Sequence, residues 1–200
     1  MRFLIAALSL LAFTTPALAA TELSDVQAHL KAVTTMTAHF SQTDRTGKTL
    51  TGVLQLKRPG KIRFEYQKDA SILIVANGKA LNFIDYHVRQ VMAWPIGNSP
   101  LGILLDPDRD MSRIAHVIPS TDSALTLVEA RDPKHPEYGV ITMGFTHTAA
   151  APAGLSLQGW VTEDSQGNRT VIRLTDQRFN TPVSDEAFLW RDPRPTSHGH

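Results

Sequence analysis

The feature that most constrains the fold of this chain is an alternation of apolar and polar residues, which begins at Met36 and continues through most of the sequence. Met36, Ala38 and Phe40 recur at every second position, and the segments 50–56 and 62–66 repeat the pattern. A period of two sends successive side chains to opposite faces of a sheet, and alternation with one apolar set is typical of antiparallel sheets. The pattern therefore predicts an antiparallel sheet with one apolar face.

Turn signals divide the chain into many short strands. Arg58-Pro59-Gly60-Lys61 suits a tight turn, and Asn77-Gly78 is a strong hairpin signal. Beyond those named above, strands are predicted over 71–76, 80–85, 88–94, 123–130, 138–147, 154–163 and 169–178. The total is ten or eleven strands, and an antiparallel sheet of that size curls. The predicted class is mainly β with short helices, that is, α+β.

Two or three short helices accompany the strands. Ser24-Asp25-Val26-Gln27 has the form of a capping box, so we expect the first helix to begin there. Its apolar residues recur at helical spacing. Pro100 suits the start of a second helix over Leu101–Leu105, and 109–117 is a candidate third helix. These helices must cover the apolar face of the sheet or enclose a cavity with it. The stripe of the first helix consists of Leu23, Val26, Leu30 and Val33.

The first nineteen residues have the pattern of a secretory signal peptide. Arg2 precedes an apolar run over 3–13, and Ala17-Leu18-Ala19 has the small-x-small form of a cleavage site. The run is about half the length needed to span a bilayer. We therefore expect residues 1–19 to be removed and residues 20–200 to form a single domain outside the cytosol, in the periplasm.

Composition excludes several classes of function. Without Arg2 the predicted mature chain has 19 basic and 19 acidic residues, so the basic excess of a nucleic-acid binder is missing. The sequence has no cysteine and no motif for nucleophilic catalysis, phosphate binding or dinucleotide binding. The acidic run 106–110 resembles a calcium loop but lacks the required glycine and glutamate at positions 111 and 117. We predict no catalytic residue, no metal site, no cofactor and no enzymatic activity.

Several motifs, in order, make the sequence similar to one family. Phe40-Ser41-Gln42 matches an F-x-Q motif, and 52–66 matches the block G-x-l-x-l-x-R-P-g-x-f-r-[WF]-x-Y. The strand–turn–strand segment 72–85 and the proline-led segment 99–105 follow in the same order. The chain thus resembles the LolA family of periplasmic carriers of outer-membrane lipoproteins, over nearly the whole predicted mature chain.

The resemblance implies a fold and a set of partners. The fold would be an incomplete antiparallel barrel of about eleven strands covering a helical lid, with an apolar cavity between them. The cavity would shelter the acyl chains of triacylated lipoproteins. An inner-membrane lipoprotein-releasing ABC transporter would load the carrier, and an outer-membrane acceptor lipoprotein, or the membrane directly, would receive the cargo. We expect a monomer.

The resemblance also implies site residues. The family's arginine that holds the empty cavity closed aligns with Arg58. The expected acyl-chain lining consists of the inward-facing residues Leu50, Leu54, Leu56, Ile62, Phe64, Tyr66, Leu101, Ile103 and Leu104. Each of these apolar residues could equally belong to an ordinary packed core. Two alternative functions stay open: a carrier of free lipid or glycolipid on the same fold, and an envelope adaptor domain without a cargo cavity.

Overall fold

The protein consists of one eleven-stranded antiparallel sheet that curls around two short helices. In the computed structural model, residues 16–96, 101–106, 108 and 110–195 are described. Helix α1 covers Pro16–Ala32 and α2 covers Leu101–Leu105. The predicted α+β class and eleven-stranded sheet are confirmed.

The strands form two consecutive meanders. The first meander consists of β1 (Thr35–Thr43), β2 (Thr49–Lys57), β3 (Lys61–Tyr66), β4 (Ile72–Asn77), β5 (Ala80–Asp85) and β6 (Gln90–Pro95). The second consists of β7 (Ala115–Ile118), β8 (Leu125–Arg131), β9 (Val140–His147), β10 (Leu155–Glu163) and β11 (Arg169–Phe179). The first and last strands, β1 and β11, pair with each other and join the meanders into one sheet ordered β6-β5-β4-β3-β2-β1-β11-β10-β9-β8-β7.

The concave face of this sheet carries the main core. Cross-strand pairs such as Leu54 with Phe64 and Leu56 with Ile62 point to this face and are almost fully buried. Val26 and Leu30 from α1 and Leu104 from α2 pack into the same cluster. The helical stripe predicted from the sequence is thus confirmed, since Leu23 is partly buried and the other three residues are buried.

Two predicted boundaries are wrong. The first helix begins at Pro16, so Ser24 lies inside α1 and does not cap it. The alanine-rich segment before Ser24 has high helix propensity and extends the helix backwards to a proline, which is well tolerated at a first position. The segment 109–117 is also not one helix: a 3₁₀ turn over Met111–Arg113 is followed by β7.

The predicted leader lies mostly outside the described residues, and the expected cleavage after Ala19 falls within α1. Residues 1–19 as a removed segment, and 20–200 as one domain, stay predictions. Among the described residues, no helix combines the length and the apolar character needed to cross a membrane.

The C-terminal segment covers part of the convex face. Phe188 is 3% exposed and packs with Leu73, Val75 and Ile84, which point away from the main core. The guanidinium of Arg63 donates to the carbonyl oxygens of Ala187 and Leu189, each at 3.2 Å. Strand β4 is therefore packed on both faces, which explains why it reads as a nearly continuous apolar run.

We predict that Phe188→Ala lowers the free energy of unfolding by about 3 kcal/mol, because it leaves a cavity in this small cluster. Urea denaturation measures the change. Leu189→Ala is the matched control, since Leu189 is 70% exposed, and it should change stability by less than about 0.5 kcal/mol. Equal effects of the two variants would show that the segment is not packed as described.

Candidate functional site

The turn between β2 and β3 connects both helices to the sheet. The backbone N–H of Arg58 donates to the carbonyl oxygen of Thr34, just after α1, at 2.8 Å. The N–H of Gly60 donates to the carbonyl oxygen of Leu105, the last residue of α2, at 3.2 Å. Any movement of α2 away from the sheet must therefore break a bond to this turn.

Glycine is required at the centre of the turn. Gly60 has a φ of +71°, and a Cβ atom there would lie 2.9 Å from the Cα of Gly78. The N–H of Gly78 donates to the carbonyl oxygen of Gly60 at 3.0 Å. Only a residue without a side chain combines this backbone conformation with such a close approach. The β2–β3 turn and the β4–β5 hairpin are thereby held together beside α2.

Arg58 carries a charge into this junction. Its Nε and Nη1 atoms are buried and have no hydrogen-bond partner among the described residues. Burial lowers the pKa of Arg58 to about 10, although the negative charge of Asp106 acts in the opposite direction. A buried charged group with unmet donors destabilises the arrangement that buries it. Within the described part of the chain, burial of the Nε and Nη1 donors is thus an unfavourable contribution at this turn.

His29 lies on the buried side of α1 and is 2% exposed. Its Nδ1 atom is 2.8 Å from the carbonyl oxygen of Pro152, so Nδ1 carries the proton and donates. The ring makes edge contacts with Phe145 and Phe179. Burial lowers the pKa of His29, and the positive charge of Arg58 adds to that shift, while the bond to Pro152 opposes it. A neutral His29 therefore fixes α1 to the second meander.

The predicted lining residues mostly form packed core in this structure. Leu54, Leu56, Ile62, Phe64, Tyr66 and Leu104 are buried on the concave side, and Leu50 is partly buried. The side chains of Leu101 and Ile103 lie outside the described residues. The structure thus brings the described members of the set together on one face, and their contact with an acyl chain stays a prediction.

Further along the same face, the sheet is less covered. Cross-strand pairs put Phe83 beside Met92 and Leu81 beside Trp94 on the concave side. Met92 is 39% exposed and Trp94 is 43% exposed. We call the set Ile74, Leu81, Phe83, Met92 and Trp94 the apolar shelf.

Sequence reasoning missed the shelf as a site. Its residues occupy alternate positions of β4, β5 and β6, so the alternation was visible, but which face it belonged to was not. The register places the shelf in line with Phe64, which pairs with Ile74. The concave apolar face is therefore continuous from the packed core to an exposed edge strand.

A small cleft opens where the shelf meets the second meander. It has a volume of about 110 Å³ and lies between Ile74 and Leu81 on one side and Trp160 on the other. A cavity of roughly 150 Å³ holds about one benzene ring, so this cleft accommodates only a fragment of an acyl chain.

No group of metal-ligating side chains occurs among the residues that the structure describes. Chemically, the site is an apolar surface beside a turn with a buried charge. Such a surface can bind hydrocarbon.

Comparison with known proteins gives one family over most of the chain. The family described as outer membrane lipoprotein carrier protein LolA matches residues 31–190. An outer-membrane lipoprotein carrier protein from Methylobacillus flagellatus is 30% identical, with 96% of both chains covered. One from Cupriavidus taiwanensis is 27% identical, covering 94% of this chain and 92% of its own length. Among solved structures, a LolA superfamily protein from Nitrosomonas europaea matches with a TM-score of 0.45 at 10% identity, covering 86% of this chain and 97% of that one.

We predict that acidification destabilises the protein partly through His29. The pKa of His29 in the folded protein is below the ordinary value of 6.5. As the pH falls through 6.5, His29 therefore binds a proton in the unfolded chain but not in the folded protein. Stability then decreases by up to about 1.4 kcal/mol per pH unit. Urea denaturation at pH 7.5 and 5.5 measures this loss.

His29→Asn keeps a donor for the carbonyl of Pro152 but does not titrate, so its loss of stability between the two pH values should be smaller than that of the wild type. His87→Asn, at an exposed position, is the control and should retain the full wild-type loss. An unchanged loss in His29→Asn would contradict the assignment.

Proposed function

The chain belongs to the LolA family of outer membrane lipoprotein carrier proteins, and we propose that it carries its cargo with the acyl chains against the concave face of the sheet. It is a lipoprotein carrier and not an enzyme, as its sequence predicts. The observation that carries the proposal is the continuity of the apolar face from the core to the exposed shelf.

The energetics of the cargo require such a surface. Burial of an acyl chain gains about 0.8 kcal/mol per CH₂, or ~12 kcal/mol for a chain of roughly 15 carbons. A carrier in water must offer a comparable apolar surface, because otherwise the lipoprotein remains in the membrane. The cleft of about 110 Å³ is too small for this. We propose that α1 and α2 move outward, so that core residues such as Leu54, Ile62 and Phe64 become the lining.

Arg58 is proposed to set the balance between the closed and open arrangements. Its backbone and that of Gly60 hold the ends of the helices, which favours closure. Its unpaired buried donors act against closure. With these two contributions opposed, a modest gain from cargo contacts can open the junction, and the helices can close again as cargo leaves.

The route of the cargo is proposed from the family and from the energetics. Extraction of an acyl chain opposes the same ~12 kcal/mol, and the sequence has no phosphate-binding loop that would let this chain use ATP. We propose that an inner-membrane ABC transporter loads triacylated lipoproteins onto the carrier. An outer-membrane acceptor lipoprotein, or the membrane itself, would receive them. The predicted signal peptide supports a periplasmic location.

We predict that Arg58→Leu folds with unchanged or higher thermal stability but transfers cargo more slowly. Leucine removes a buried charge whose Nε and Nη1 donors have no partner among the described residues, and it stabilises the closed packing. The two measurements are the melting temperature and the transfer of a purified lipoprotein to outer-membrane vesicles. Arg178→Leu makes the same chemical change at an exposed position and should leave both unchanged. A large loss of melting temperature with normal transfer would refute the switch role.

We also predict that single-cysteine variants identify the cargo face. Because the chain has no cysteine, a thiol-reactive photocrosslinker attached to Trp94→Cys labels one position on the shelf. Its matched control is Ala93→Cys, on the opposite face of the same strand. In cells, the first should capture lipoproteins and the second should not. If Trp94→Cys captured only free lipid, the result would favour a carrier of free lipid or glycolipid. If it captured nothing, the result would favour an envelope adaptor domain without a cargo cavity.

A further inference from the structure

The small cleft beside the shelf has a polar rim on an otherwise apolar lining. Its lining includes Phe64, Ile74, Leu81, Trp160 and Ile172. The remaining residues are polar but uncharged, and strand pairing and a hydrogen bond place them near one another. These four residues are Gln42, Tyr66, Thr162 and Thr170.

Register explains why these polar groups meet. Thr162 and Thr170 are direct cross-strand partners on β10 and β11. Gln42 is paired with Ile172 on β11, one step further along the same face. Gln42 is also the next residue after Met36, Ala38 and Phe40 on the concave side of β1. The polar side chain of Gln42 therefore occupies a position at which the alternation predicts an apolar residue.

The two largest polar groups are held in a fixed relation. The Tyr66 hydroxyl donates to Oε1 of Gln42 at 2.5 Å. Tyr66 is 6% exposed, and burial raises the pKa of its hydroxyl, so it stays neutral and remains a donor. With Oε1 occupied, the Nε2 group of Gln42 is oriented as a donor with no partner among the described residues. The Thr162 and Thr170 hydroxyls likewise have none there.

The lining selects the chemistry of a ligand. Apolar side chains beside an oriented N–H donor and two threonine hydroxyls suit a hydrocarbon chain that ends in a neutral carbonyl oxygen. No charged side chain lines the cleft among the described residues, so a carboxylate or phosphate would lose its hydration without an opposite charge in return. An ester or amide carbonyl meets the donors without that penalty.

We propose that Gln42, oriented by Tyr66, recognises the ester or amide carbonyl at the head of an acyl chain, while the first carbons of the chain occupy the cleft. From there the chain continues over Ile74 and Leu81 onto the shelf, since both residues line the cleft and belong to the shelf. The inference rests on the proposed acyl-binding function and adds a determinant for the kind of linkage that holds the chain.

The test compares soluble ten-carbon probes that differ in the group at the head of the chain, of which the ester and the ether differ only in the carbonyl. Isothermal titration of the full protein uses 1-decanoylglycerol, its ether 1-O-decylglycerol, N-ethyldecanamide and decanoate. We expect the ester or the amide to bind about five- to tenfold more tightly than the ether, the size of one net hydrogen bond. Whichever of the two binds more tightly identifies the linkage that is recognised. Decanoate should bind more weakly than both carbonyl probes.

Variants test whether the preference for a carbonyl depends on the pair formed by Gln42 and Tyr66. Gln42→Leu should lose the preference for a carbonyl while its affinity for the ether stays within about twofold. Because this variant leaves the Tyr66 hydroxyl buried without an acceptor, Gln42→Leu/Tyr66→Phe replaces both partners by apolar groups and preserves the fold. It should likewise bind ester and ether equally. Gln55→Leu, on the convex face of β2, is the control and should keep the wild-type preference.

The outcomes separate this inference from the proposed function. Equal binding of ester, amide and ether by the wild-type protein, or a preference retained in both Gln42 variants, would overturn the carbonyl site while acyl binding stands. Tightest binding of decanoate would also overturn it. Failure of the wild-type protein to bind any probe would overturn the inference together with the proposed acyl-binding surface.

Discussion

One apolar face that must be kept from water governs the whole structure. The eleven strands present their inward residues to the same concave side, and the curl of the sheet brings both meanders around it. Helix α1 contacts β7 and β10, and α2 lies beside the β2–β3 turn and the β4–β5 hairpin, while Met92 and Trp94 on β6 stay exposed. The proposed function uses this unequal coverage, because the residues that stabilise the empty fold are of the same type as those that would contact cargo.

In the proposed function, the junction at Arg58 lets the helices move away from the sheet. Hydrophobic burial alone would favour tight closure, since each buried side chain contributes about 1.5–3 kcal/mol. A charged group with unmet donors at the contact between turn and helices reduces that preference. The backbone bonds from Arg58 and Gly60 keep the closed arrangement specific even so. His29 acts on the other side of α1, where its neutral ring is held among aromatic residues.

The convex face has a separate role. There the C-terminal segment packs Phe188 against Leu73, Val75 and Ile84. Asp185 forms ion pairs with Lys57 and Lys61, which hold the pKa of its carboxyl at about 2. This covering keeps the outer surface of β3–β5 closed whatever happens inside. In the proposed function, these strands stay fixed while the helices move and cargo contacts the inner face.

The sequence by itself determined the architecture, because period two, turn residues and helical spacing act locally. It predicted the antiparallel sheet, the helical stripe ending at Val33 and the turn that begins at Arg58. It was wrong about the start of α1, since a capping pattern at Ser24 cannot override the helix-forming residues before it. It also could not separate lining from core, because Leu54 and Trp94 carry the same alternation. Tertiary structure alone decided which apolar residues are core and which are exposed, because exposure depends on which parts of the sheet the helices cover. It also decided the contact between Gln42 and Tyr66, because that contact depends on strand register between distant segments.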